Sequence, residues 1–312
     1  MVMLSILFPG QGSQSIGMAK DLAEQYPVVR DTLTEASEVL GFDLISLIND
    51  GPEADLNRTD LTQPAILAVS VAAWRLLQST TDVKADYMAG HSLGEYSALV
   101  CSGVLSFSDA LTVVNKRGQF MIEAVPVGVG GMAAIIGLED DKIIQACEAA
   151  AQEEVVSPVN YNSPGQVVIA GHQTAVERAC EACLAAGAKR AIPLVVSGPF
   201  HSSLMQPAAG KLAEVLDNVT FNNPEVPVVN NVDVSINTSP SDIKDSLIRQ
   251  LYNPVRWAET VQWFEGNGVT EYIECGPGKV LAGLNKRINR RAPVHLTTDV
   301  ASYDKLLEKI NA

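Results

Sequence analysis

The stretch "AGHSLGEY", Ala89 to Tyr96, brackets Ser92 with Gly90 and Gly94. The spacing is G-x-S-x-G, the pattern of a nucleophile held on a sharp strand-to-helix turn. Tyr87 to Gly90 reads as a short strand leading in, and the residues after Ser92 read as the helix leading out. A strand that hands the chain to a helix is the repeating unit of a layered α/β sheet. On such a turn Ser92 is exposed at the strand's end in a strained backbone conformation. The helix that follows starts with free N–H groups and a partial positive charge. An oxyanion formed at an attacked carbonyl can therefore use the N–H of Leu93. A serine in a tight turn without chemistry would show the same spacing.

Working outward, Leu4 to Phe8 reads as a buried strand followed by the glycine loop "PGQGSQ". Helical patterns follow in "MAKDLAEQYP", "DTLTEASEVLG" and, after Gln63-Pro64, "AILAVSVAAWRLLQ". Beyond the Ser92 turn, "SFSDALTVVNKRGQFMIEAV" predicts a helix with Ser108 as its N-cap. The glycine-rich "PVGVGGM", Pro126 to Met132, reads as a connector and hinge. After it come strand (Met132 to Gly137), helix (Asp140 to Gln152), strand (Val155 to Asn160), strand (Val167 to Gly171), helix (Thr174 to Gly187) and strand (Lys189 to Val196). That order, βαββαβ, is ferredoxin-like. Residues 126–196 are thus expected as a small subdomain inserted in a larger α/β domain made of 1–125 and 197–312. The larger unit resumes at "SGPFHSSLMQPAAGKLAEVL", with a strand at "VPVVNNV", helices at "SDIKDSLIRQLYNP" and "AETVQWFEGNG", and a strand at "TEYIECGPG". The alternation predicts a mainly parallel sheet covered on both faces.

Composition narrows the class. Apolar residues make up 47% and charged residues 19% of the 312, so a packed core is expected rather than disorder. The net charge of −14 argues against nucleic acid as a partner, because phosphate binding needs a basic face. The start, "MVMLSILFPGQG", lacks a basic leader and its apolar run ends at Pro9. No apolar run reaches the roughly 18 residues of a membrane span. Five cysteines, an odd number, do not suggest a disulfide framework. A cytoplasmic protein without membrane attachment is expected. Cys180 and Cys183 form a C-x-x-C inside "TAVERACEACLAAGAK", with no second ligand pair for zinc, and read as small apolar residues on a helix face.

A serine nucleophile needs a base, and the chain has four histidines. His91 adjoins Ser92, so its side chain points away along the chain. His172 ends a strand of the insert, in "VVIAGHQ", and His295 lies in "APVHLTT" with no loop signal around it. His201, in "VSGPFHSSLMQPAA", ends an apolar strand and precedes a helix, where α/β sheets place functional groups. By elimination His201 is favoured. No acid after it sits in an apolar loop that points back to serve as the usual third member. The helix "SDIKDSLIRQLYNP" stops at Asn253-Pro254, because proline ends it. Its last carbonyls, around Gln250 and Leu251, lack helical partners and carry partial negative charge. One of them can accept the Nδ1–H of His201.

An arginine sits where an apolar residue is expected. The helical ladder Ala110, Val113, Val114, Met121 runs through Arg117, which places a guanidinium on the buried stripe. One explanation is an internal ion pair with a protein acid. The other is a carboxylate on the substrate, held by the fixed guanidinium fork.

These residues belong to a longer pattern: "FPGQGSQ" at 8–14, "GHSLGEYSALVCSG" at 90–103, Arg117, "NYNSPGQVVIAG" at 160–171, "GPFHSSLM" at 198–205, "RQLYNPVRW" at 249–257 and "ECGPGKVL" at 274–281. In this order they resemble the malonyl-CoA:acyl carrier protein transacylase family of bacterial dissociated fatty acid synthesis, from Phe8 to about Arg291. The resemblance implies a hydrolase-like α/β domain with a ferredoxin-like insert. It implies Ser92 as the acylated nucleophile, His201 as its base and the main-chain carbonyl of Gln250 as the group orienting His201. It further implies the backbone N–H groups of Gln11 and Leu93 as the oxyanion hole. Arg117 would bind the malonyl carboxylate, with Gln11 beside the substrate. The implied reaction is ping-pong transfer of malonyl from malonyl-CoA to the phosphopantetheine thiol of acyl carrier protein, with no metal and no permanently bound cofactor. One departure is Pro199, where the family often has a small residue; it would stiffen the loop before His201.

An acidic carrier protein meeting an acidic enzyme requires local steering. Lys286 and Arg287, with Lys279, Arg290 and Arg291 nearby, form one basic cluster, and Lys189 with Arg190 forms a second. Both are candidates for docking the carrier protein or CoA phosphates, or are solvated charged faces. A serine hydrolase such as a thioesterase is the competing expectation: it would keep Ser92 and His201 but has no need of Arg117. A nucleotide-binding module fits less well. "GQGSQS" has Ser15 where the third glycine belongs, and "GPGKV" lacks the P-loop spacing.

Overall fold

The computed structural model describes residues 2–311. Its strands are β1 (Leu4–Phe8), β2 (Tyr87–Gly90), β3 (Gly130–Ile136), β4 (Val156–Ser163), β5 (Gln166–His172), β6 (Arg190–Pro193), β7 (Val228–Val229), β8 (Glu271–Glu274) and β9 (Val294–Leu296). Five of them form one sheet in the order β7-β2-β1-β8-β9, and every pair in it is parallel. Ile6, Leu7, Phe8, Met88 and Ala89 are fully buried. Unbroken apolar runs of this kind are what a parallel sheet needs when helices cover both faces. β1 lies at its centre, and Phe8 pairs with Gly90. The loop after β1 and the turn after β2 therefore leave the sheet side by side, which brings Gln11 next to Ser92.

The second sheet is antiparallel, in the order β4-β5-β3-β6. With helices Asp140–Ala151 and Gln173–Ala185 it completes the expected βαββαβ unit. Ala133, Ile135, Val167 and Ile169 pack on those helices in a core of their own. Side chains of a strand alternate between faces, so Met132, Ala134 and Val168 turn the other way and line a cavity. Cys183 is buried in the helix-side core and Cys180 packs against it. Among the described residues no group of three His, Cys, Asp or Glu is placed to hold a metal ion. No helix of the described residues is long and apolar enough to cross a membrane.

Three helix starts differ from expectation, the first being Pro27–Leu40, which opens with proline at its first position, four residues before the expected "DTLTEASEVLG". The helix expected to begin after Pro64 runs from Thr59 to Thr80 with Pro64 inside it. Proline has no N–H for the carbonyl four residues back. That carbonyl belongs to Asp60, and Asn115 Nδ2 donates to it at 2.8 Å. A partner on a neighbouring helix thus makes the proline tolerable. The helix Phe107–Glu123 is capped by Ser106 rather than Ser108: Ser106 Oγ accepts the Asp109 N–H at 3.0 Å. The expected strand at "VPVVNNV" shrinks to β7, because Asn230 Oδ1 takes the N–H groups of Val232 and Asp233 and turns the chain. The helices Leu44–Asp50, Glu53–Leu56, Val280–Ile288 and Val300–Ile310, and strand β9, lie outside the sequence expectation.

Candidate active site

Ser92 has φ of 51°, a left-handed conformation unusual for serine. The flanking glycines are required by contact rather than by torsion. A Cβ on Gly90 would lie 1.9 Å from the carbonyl carbon of Gly94, and one on Gly94 would lie 2.1 Å from the oxygen of Phe8. The turn is therefore pressed against the end of β1. Asn231 holds it from the other side. Its Oδ1 accepts the Ser92 N–H at 2.7 Å, and its Nδ2 donates to Gly90 O at 2.7 Å. The Ser92 N–H is thus occupied. Among the described residues the N–H groups of Leu93 and Gln11 make no hydrogen bond, and both residues line the cavity. Both are free main-chain donors at the wall of the cavity that Ser92 lines.

His201 Nε2 lies 2.8 Å from Ser92 Oγ, and its Nδ1 lies 2.7 Å from the main-chain oxygen of Gln250. A carbonyl can only accept, so Nδ1 carries the proton and Nε2 is left to receive one from serine. Gln250 is the last residue of helix Pro240–Gln250, so its carbonyl is one of the helix's unpaired acceptors. His201 stands in the loop between β6 and a short 3₁₀ turn, Ser203–Met205, with φ of 64°. It does not open a helix directly as expected. The preceding turn is tied by Ser202 Oγ donating to Pro199 O at 2.7 Å. Burial, and after it the charge of Arg117, pushes His201 down to about 3. The imidazole is therefore neutral at physiological pH, the form a general base needs.

Arg117 is 1% exposed. Nη1 donates to Gln63 Oε1 at 2.7 Å, and Nη2 donates to Gln250 Oε1 at 2.9 Å and to Ser92 Oγ at 3.2 Å. The guanidinium also lies 5.4 Å from the Tyr96 ring centroid. Among the described residues no carboxylate pairs with it, and its buried Nε has no partner. The internal ion pair considered from the sequence is absent. Gly118 explains why Arg117 reaches this place. A Cβ there would meet Asp60 Cα at 2.5 Å, so helices Phe107–Glu123 and Thr59–Thr80 touch at their backbones, and Gln63 comes beside Arg117.

The remaining histidines do other work. His91 Nε2 bonds Asn162 Oδ1 at 2.7 Å, and its ring packs on Trp257. His172 Nδ1 accepts the Val155 N–H at 2.9 Å, and His295 lies 3.5 Å from Glu271. Gln63, Glu95, Asn231 and the side chain of Gln250 belong to the site and were not singled out from the sequence. Glu95 is 2% exposed, and burial raises it to about 7. Its place in the first turn of the helix after Ser92, a mostly apolar helix, was the one available signal.

The cavity, about 280 Å³, runs from Ser92, Arg117 and His201 outward between the two sheets. Gln166 lines its mouth and accepts a hydrogen bond from Arg287. Gln166 pairs with Ile136, and Ile136 pairs with Arg190, so Arg190 stands on the same sheet face. Arg287 thus reaches a residue of the cavity lining, Arg190 is exposed on the same sheet face two strands from Gln166, and Lys189 and Lys286 are exposed next to them in the chain.

A family model described as acyl transferase domain matches residues 6–301. A malonyl CoA-acyl carrier protein transacylase of Escherichia coli strain K12 is 59% identical over 288 residues, covering 92% of this chain and 93% of its own. Its counterpart in Bacillus subtilis strain 168 is 47% identical over 308 residues, covering 98% and 97%. Among solved structures, an acyl carrier protein S-malonyltransferase of Vibrio cholerae superposes with a TM-score of 0.95 at 59% identity, covering 97% of this chain and 99% of that one. A malonyl-transacylase solved in complex with its type II polyketide acyl-carrier protein gives 0.97 at 55% identity, covering 98% and 99%. The chain belongs to the acyl transferase family, and within it to the malonyl CoA-acyl carrier protein transacylases.

Proposed function

We propose that the chain transfers a malonyl group from malonyl-CoA to the phosphopantetheine thiol of an acyl carrier protein through a malonyl ester on Ser92. Ser92 Oγ attacks the thioester carbonyl while His201 Nε2 takes its proton, over a hydrogen bond of 2.8 Å. The carbonyl oxygen becomes an oxyanion facing the N–H groups of Leu93 and Gln11. The C–S bond breaks, the proton on His201 goes to the CoA sulfur, and the ester remains. The carrier thiol then attacks the ester while His201 takes its proton, and the proton returns to Ser92 Oγ as it leaves. The Gln250 carbonyl stabilises the imidazolium in each half. Malonyl-CoA is the substrate, and no bound cofactor is assigned.

The observation that carries this reading is Arg117, a buried cation without a protein carboxylate, 3.2 Å from the nucleophile. Such a cation is costly alone and matches an acyl group bearing its own carboxylate. A thioesterase has no use for it. The small unit, 126–196, supplies the outer cavity wall, and 1–125 with 197–312 supplies the chemistry. Lys189, Arg190, Lys286 and Arg287 are assigned to docking the acidic carrier protein or CoA phosphates at the cavity mouth. Action in the cytoplasm accords with these substrates. The test is intact mass after mixing with malonyl-CoA, followed by peptide mapping. A malonyl adduct on Ser92 is required, and its absence rejects the reading.

A further inference from the structure

The proposed chemistry leaves one carboxylate directly behind the nucleophile unused. Glu95 Oε2 accepts hydrogen bonds from Gln250 Nε2 at 2.9 Å and from the Asn231 main-chain N–H at 3.0 Å. Gln250 is fully buried and uses both ends of its side-chain amide. Its Oε1 faces Arg117 at 2.9 Å, while Nε2 faces Glu95 and, at 3.1 Å, Ser92 O. An amide has one accepting and one donating end of nearly equal shape. The acceptors behind it, Glu95 Oε2, Ser92 O and, at 3.4 Å, Asn231 Oδ1, therefore favour the end that faces Arg117, and Glu95 Oε2 makes the shortest of these contacts. Oε2 of Glu95 accepts from two N–H groups, so it is an acceptor whether or not a proton sits on the other oxygen. With the amide turned over, its NH₂ would meet the guanidinium and its oxygen would meet the carboxylate. Unpaired polar groups are most costly in such a buried site.

We infer that Glu95 is a positioning residue for Arg117, acting through the side-chain amide of Gln250, and thereby helps set the preference for acyl groups that carry a carboxylate. The inference rests on the malonyl-transfer reading above. Among the described residues Arg117 has no ion pair, so Gln63 Oε1 and Gln250 Oε1 are the neutral acceptors that aim it. Without the second, the guanidinium is anchored at one end and its Nη2 is free to leave Ser92. A merely structural Glu95 would slow every acyl group alike.

The readout is the ratio of kcat/KM for malonyl-CoA to that for acetyl-CoA. Glu95→Ala should lower this ratio about tenfold or more. Glu95→Gln should restore it to within about threefold, because its Oε1 can occupy the place of Oε2 and accept both N–H groups. Gln250→Ala keeps the main-chain carbonyl on His201 and removes only the amide; it should lower the ratio as Glu95→Ala does. Adding Glu95→Ala to it should lower the ratio no further. An unchanged ratio in Glu95→Ala, or losses that multiply in the double variant, overturns the inference. If Glu95→Ala does not fold, Glu95→Asp withdraws the carboxylate by one methylene, and a native ratio there overturns the inference equally. A native chain without any malonyl preference overturns the malonyl-transfer reading itself. A native preference that survives Glu95→Ala overturns only the role of Glu95.

Discussion

Arg117 is where one residue says most about the substrate. A guanidinium on the apolar stripe of a helix was legible from spacing alone, and so was its need for a partner. Whether that partner was inside the protein was not legible, because the answer depends on Gln63 and Gln250 from two other helices. Arg117→Ala should remove the preference for malonyl over acetyl by about 100-fold or more, measured as a ratio of kcat/KM. A ratio that stays at the native value contradicts the assignment. His201 is legible as a histidine between an apolar strand and a helix, and its carbonyl partner as the end of a helix stopped by Pro254. Its depressed titration was not legible, since burial and the charge of Arg117 are properties of the folded site. Ring NMR should find His201 neutral from pH 8 to pH 5, with no transition near the ordinary 6.5. The linkage has a definite sign. As pH falls from 6.5 toward 3, the unfolded chain binds a proton at His201 that the folded chain refuses, so this residue's share of the stability falls. A transition near 6.5 would contradict the burial argument.

At the scale of elements, local pattern predicted the strands that matter and misplaced the helix containing Pro64. Proline lacks the N–H a helix interior needs, so local chemistry alone marks Pro64 as a boundary. The tertiary partner that overrides the rule, Asn115, lies on another helix and leaves no mark beside Pro64. The same contact between helices Thr59–Thr80 and Phe107–Glu123 links stability to specificity. Gly118→Ala puts a methyl against the backbone of Asp60, so the helices must part. The expected cost is about 1–3 kcal/mol of unfolding free energy by urea titration. Arg117 moves with its helix, so the malonyl-to-acetyl ratio should fall in the same variant. A variant that loses stability and keeps the native ratio would show that the contact does not position Arg117. The elements missed altogether are helices Leu44–Asp50, Glu53–Leu56, Val280–Ile288 and Val300–Ile310 and strand β9. Their sequences are short and mixed in character, and their burial comes from packing on distant segments.

Across the whole molecule, the βαββαβ unit forms one wall of a cavity whose floor includes the loops that follow β1 and β2 of the parallel sheet. The order of elements was legible because strand and helix periods differ. Which sheet face turns to the cavity was not, because that follows from how the two units pack. In this acidic chain Arg287 bonds Gln166 of the cavity lining and Arg190 shares the sheet face of Gln166, although the two arginines are far apart in sequence. Lys286→Glu with Arg287→Glu should raise KM for acyl carrier protein about tenfold at low salt and flatten its salt dependence. An unchanged KM at low salt would place docking elsewhere.

The proposed reaction is transfer rather than hydrolysis. The most direct measurement isolates the chain after loading Ser92 from malonyl-CoA and chases it with holo acyl carrier protein, following both masses with time. The expected result is loss of the malonyl mass from the enzyme and its gain on the carrier thiol, much faster than loss to water without carrier. Release of free malonate at the same rate with and without the carrier would contradict it.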